Sequence, residues 1–243
     1  MTEQSTAAEY VTEPLGPRFA IRTFYLFAAL AALSMVISIA GKWIGGTIAS
    51  VGHTDDTRSY EIVIGNNVLA VPGNHIRFAS QRADGEAHRL DLYVRWPDLA
   101  GYSDDVRDDF NRRDGVRRII FLSLEPRLMS RDMSGRFDPI YRRLIELPGE
   151  SGPNGLSVYR FSAASGYMNE LLLVGDLAGK VPFVARCLTG APAEDTLAGC
   201  ERDVHVGDEL SLSYRFPEEL LGEWRILDAA IVGKAREMLR TAQ

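Results

Sequence analysis

Lysine is nearly missing from this 243-residue chain, which has three lysines against twenty-four arginines. That bias accompanies GC-rich bacterial coding, and no Asn-x-Ser/Thr acceptor for N-glycosylation occurs anywhere. A glycine-rich dinucleotide fingerprint is also lacking. The nearest approach to a phosphate loop, Gly175 to Lys180, is one residue short and runs into Val181 rather than Ser or Thr. There is no GxSxG elbow and no HExxH pair, and the four histidines, His53, His75, His88 and His205, are scattered. Asp109-x-Asn111-x-x-Asp114-Gly115 has the wrong spacing for a calcium loop. No metal, cofactor or catalytic residue is therefore expected. A triad built from distant residues around His75 or His88 stays open as the enzymatic alternative.

Cysteine is scarce too, with only Cys187 and Cys200. They enclose a turn-rich LTGAPAEDTLAG and read as a disulfide formed in an oxidising compartment. Two reduced core cysteines, or a zinc site with His205 that has only three ligands in view, are the alternatives.

What the chain does have is one long uncharged run, Thr23 to Gly41, which Trp43 and Ile44 extend. At ~1.5 Å per residue such a helix reaches across the hydrocarbon core of a bilayer. Its leader is long and carries Glu3, Glu9 and Glu13, unlike a secretory signal, although Thr47-Ile48-Ala49 resembles a cleavage site. The reading is a cytoplasmic tail over 1–22, a membrane helix over 23–45, a linker over 46–58 and a periplasmic domain over 59–243. Lys and Arg flank both ends of the run almost equally, so compartment rests on the cysteines and composition, which favour a bacterial inner membrane. Along the run, Ala31, Ser34, Ser38, Gly41 and Gly45 recur at spacings of three and four, a seam through which a second copy or a partner helix would pack.

The net charge of −6 falls outside the first forty-nine residues, and it argues against nucleic acid. Within the domain, arginines crowd between Arg112 and Arg143. Arg127, Arg131, Arg136, Arg142 and Arg143 are the candidate basic face toward anionic lipid or an acidic partner.

Period-two alternation marks strands in EIVIGNNVLAVP (from Glu61), LDLYVRWPDL (from Leu90), RRIIFLSLEP (from Arg117), LSVYRF (from Leu156), ELLLVGDLAGKVP (from Glu170) and LSLSYRFPEEL (from Leu210). The first matches the fifth and the second matches the sixth, which suggests duplicated halves over 59–147 and 156–243 packed about a pseudo-twofold axis, with PGESGPNG (Pro148 to Gly155) as the break. In this reading Gly65-Asn66 and Gly175-Asp176 are turns. Ser103 caps a helix whose Asp108 and Asp109 pair with Arg112 and Arg113. After Pro217, Leu220, Trp224, Leu227, Ile231, Ala235 and Met238 form the stripe of an amphipathic C-terminal helix.

The fold class is thus α+β: one N-terminal transmembrane helix, a mainly antiparallel sheet and a C-terminal amphipathic helix. The function expected is a non-enzymatic interaction or tethering module in the envelope. A membrane-anchored enzyme acting on an envelope polymer or lipid, or a ligand-sensing or transport-accessory domain, is the rival.

Overall fold

The computed structural model describes residues 17–49, 52–111, 118–177 and 181–241. The chain divides into two units, Met1–Val51 and Gly52–Gln243. The first unit holds one helix, α1 (Pro17–Ala49), which is longer at both ends than the span read from composition. Its stretch Ile21–Ser38 has a mean hydropathy of 1.7 and none of it is buried, so it is long and apolar enough to cross a membrane.

The second unit is built on strands. β1 (Ser59–Ile64) and β2 (Asn67–Pro72) form a tight hairpin, and β1 also pairs in parallel with the short β3 (Gly85–Glu86). Gly65 turns that hairpin with a φ of 57°, a conformation that glycine adopts without penalty. The remaining strands are β4 (Leu90–Arg95), β5 (Ile119–Pro126), β6 (Glu150–Ser151), β7 (Leu156–Arg160), β8 (Glu170–Gly175), β9 (Phe183–Leu188), β10 (Cys200–Val206) and β11 (Leu210–Phe216). They make one eight-stranded sheet in the order β4-β5-β11-β10-β9-β8-β7-β6, and every pairing in it is antiparallel.

Three short helical stretches matter below. α2 (Arg107–Asn111) follows a 3-10 turn at Asp104–Val106, α3 (Ala191–Glu194) precedes β10, and α4 (Trp224–Met238) closes the domain. The whole predicted stripe, from Leu220 through Met238, is buried. The helix does not start at Pro217, however, because Glu218–Glu223 winds as a 3-10 segment before α4 begins. α4 then lies across the inner face of the sheet, and at its end Leu239 bridges to Leu69 of β2.

The duplicated halves do not correspond to equivalent places. β1 and β2 belong to the small sheet, whereas their sequence counterparts near β8 and β9 lie inside the large one. β4 has one strand neighbour, β5, whereas β11 lies between β5 and β10. The Gly/Pro-rich break is not a boundary either, since it contributes β6, which pairs with β7 in the same sheet. Gly175 is not a turn. It ends β8 opposite Phe183, and a Cβ there would come within 2.6 Å of the Trp224 ring. Glycine at this position lets the indole approach the strand this closely.

Candidate interaction site

The large sheet is two four-stranded halves joined by a narrow seam. β9 and β10 pair only at Cys187↔Cys200 and Glu201↔Arg186, then separate. The two cysteines, directly opposite one another, are bonded, so the predicted disulfide ties the halves at the point where they meet. Beyond it Arg202 turns inward and takes over from the missing ladder. Its Nη1 donates to Val184 O at 2.9 Å and to Ser134 Oγ at 2.7 Å, while Nε donates to Asp228 of α4 at 2.9 Å. The guanidinium stacks over Phe183, and the Tyr214 hydroxyl donates to the same Asp228 oxygen at 2.7 Å. Burial beside that carboxylate pushes the Tyr214 hydroxyl well above its ordinary range. The sequence signal was present: in CERDVHV, Arg202 stands in the inward register with Cys200, Val204 and Val206, where an arginine needs buried partners.

The outer face of the sheet carries an aromatic cluster at each end and a polar valley between. At the β4 end, His53 stacks on Tyr102 with ring centres 4.7 Å apart and hydrogen-bonds the Tyr93 hydroxyl at 3.0 Å. Burial lowers the His53 pKa below its usual 6.5 and pushes Tyr93 up to about 12. At the other end, Met133, Phe137 and Tyr141 cover Leu172 and Val184. In between, Asp91, Ser123, Ser213 and Glu201 floor a cleft of about 420 Å³ between Arg77 and Arg215.

On the inner face the cover is uneven. Over β10 and β11 it is complete. Over β7, β8 and β9 it stops at the 3-10 segment, and an apolar groove of about 650 Å³ remains. Its floor is two adjacent rows of opposed residues, with Leu171 facing Cys187 in one and Val158 facing Leu173 in the other. Leu188, Leu197 and Leu221 line its sides, and Leu197 is 39% exposed. Glu218 and Glu219 stand on one rim. On the opposite side Ala193 and Thr196 line the groove, while Asp195 between them lines the polar cleft of the outer face instead. Among the described residues neither Glu218 nor Glu219 enters an ion pair. No motif announced this groove, because LLLV in β8 is apolar on both faces and does not say which face stays open.

The predicted basic face is largely neutralised by its own neighbours. Arg127 pairs with Glu209, Arg136 with Asp203, and Arg142 with Asp138 at 2.8 Å. Arg131 and Arg143 are exposed, and neither forms an ion pair with the described residues. Burial raises the Asp203 carboxyl above its ordinary 3.8, against the pull of Arg136. Ser103 makes no side-chain cap, and Asp109 pairs with Arg95 at 3.2 Å. Arg112, Arg113, Asp114 and Gly115 lie outside the described residues. Of the helix seam, Ala31, Ser34 and Ser38 are exposed on α1, and Gly41 and Gly45 continue the same helix. Buried His75 faces Asn74 Oδ1 with Nδ1 at 3.0 Å and donates from Nε2 to Leu99 O at 3.2 Å, and desolvation lowers its pKa. Among the described residues no group of three or more His, Cys, Asp or Glu could hold a metal ion.

No family model matches the chain, and no curated protein matches it. Among solved structures, the fold is similar to that of an immunity protein of the Stenotrophomonas maltophilia type IV secretion system. The TM-score is 0.50 with 14% identity, over 76% of this chain and 94% of that one.

Proposed function

We propose that this chain is a bitopic inner-membrane protein of a bacterium, with a periplasmic domain that acts by binding another protein rather than by catalysis. Within that class, immunity is the favoured role, meaning capture of a protein delivered into the envelope by a secretion system. The observation that carries the reading is the backbone likeness, over nearly the whole of that chain, to an immunity protein. The disulfide at the sheet seam supports an oxidising compartment, and an exposed apolar helix ahead of the domain supports anchoring.

Two measurements test this. Alkaline phosphatase fused after Gln243 is expected to be active, whereas activity confined to a cytoplasmic reporter would overturn the placement. Cells deleted for the chain are expected to die when confronted with secretion-competent siblings and to recover when the full chain is restored. Equal survival of deleted and restored cells would overturn the immunity role.

A further inference from the structure

We infer that the groove between the 3-10 segment 218–223, α3 and β7–β9 is the docking site for a basic, apolar-anchored peptide segment of a partner protein. The inference rests on the partner-binding reading above and names the chemistry of the partner. The floor is the same inner face that is buried elsewhere in the sheet, but beside the 3-10 segment Val158, Leu171 and Leu188 stay only partly buried. At about 650 Å³ it accommodates a few large side chains and falls within the range of sites that bind ligands. Apolar area of this kind favours any apolar occupant, so the rims decide which one.

Glu218 and Glu219 on the rim have no cationic partner among the described residues, and no Lys or Arg lines the groove. Two unopposed carboxylates beside an apolar floor attract Lys or Arg flanking an apolar anchor and repel an acidic segment. A second copy would bring the same acidic rims together. The chain's own residues 1–16 carry Glu3, Glu9 and Glu13 and no base, so they have the wrong sign.

The experiment pans a phage-displayed library of random dodecapeptides against the full chain in phosphatidylcholine nanodiscs, with empty nanodiscs as the counter-selection. Enriched peptides are expected to carry large apolar residues flanked by Lys or Arg. A fluorescein-labelled synthetic copy should lose roughly tenfold or more in affinity with Glu218→Gln/Glu219→Gln, and similarly with Leu197→Asp. Arg131→Gln/Arg143→Gln should leave it unchanged. The carboxylate variants change only exposed side chains, so they decide the matter even if Leu197→Asp disturbs the fold. Three results would overturn the inference: no enrichment, enrichment without basic flanks, or binding indifferent to the groove variants. A dimer dissolved by those variants would do the same, by assigning the groove to a second copy. Groove variants that still protect cells in the killing assay would remove the groove while leaving the immunity role standing. A wild-type chain that binds basic peptides yet gives no protection would remove the role and leave the groove.

Discussion

The two halves of the eight-stranded sheet each have four antiparallel strands and differ in what lies on them. Strands β4, β5, β11 and β10 turn their inner residues into a closed core under α4 and the small sheet. Strands β9, β8, β7 and β6 continue that face beyond the helix and leave part of it open. The outer faces differ in the opposite sense: Met133, Phe137 and Tyr141 seal the second half, while the first is floored with Ser123 and Ser213. Strand pattern alone therefore does not make a binding surface; the length and position of the covering elements do.

The largest expected effect breaks the seam that joins the halves. Arg202→Ala leaves Asp228 without its cation and Val184 O without a donor, where the side chains of the pair are only 6% and 15% exposed. Denaturant unfolding should show a loss of about 3–5 kcal/mol, the usual cost of breaking a buried pair. Arg202→Met combined with Asp228→Leu should recover much of that loss, because no charge is then left buried. Reduction of Cys187–Cys200, or Cys187→Ala/Cys200→Ala, should cost about 3 kcal/mol for a link spanning 13 residues.

Gly175→Ala sharpens the comparison from the covered side. The added methyl meets Trp224, so thermal unfolding should report a loss of about 1–3 kcal/mol. Acid is a smaller probe, and it separates the first half from the seam. Burial holds His53 and His75 neutral in the folded chain below their ordinary 6.5. The unfolded chain takes up protons there that the folded one refuses, so stability is complete above pH 6.5 and declines as pH falls through it. His75→Gln should flatten part of that slope in unfolding measured across pH 7 to 5. Asp203, whose carboxyl is raised by burial, acts the other way at lower pH, since its proton relieves a cost of the folded state. The smallest effect is expected on the open face, where Leu197→Asp should change stability by less than about 0.5 kcal/mol. A large loss there would mean that the groove is core rather than surface.

Much of this was legible in the residues. Alternation located β4, β5, β7 and β11, and the 3.6-residue stripe located α4 down to its buried Trp224 and Met238, because burial on one face leaves a period in the sequence. Matched motifs misled where local similarity was read as shared topology. The Arg-aromatic-Pro endings at Trp96-Pro97 and Phe216-Pro217 terminate strands with unlike neighbours, and only the first peptide bond is cis. In the arginine-rich stretch, sequence distance hid partners such as Glu209 and Asp203. The groove was hidden for another reason: whether a face of a doubly apolar strand stays open depends on where a distant helix begins.

The rims of the sheet also limit how anything can be recognised. Along β4, Asp91 O accepts from Arg77 N and Asp91 N donates to the Gln81 side chain, while Arg95 N donates to Ala100 O. Along β7, the short β6 pairs at one end, and Glu146 N reaches Arg160 O at the other. With main-chain donors and acceptors engaged at these positions on both margins, an incoming strand finds few partners for extending the ladder. If the domain binds a partner as proposed, the contacts have to be written in side chains, which selection can alter one residue at a time. Partner preference can therefore diverge quickly between otherwise identical folds, without creating a sticky margin that would recruit chains indiscriminately.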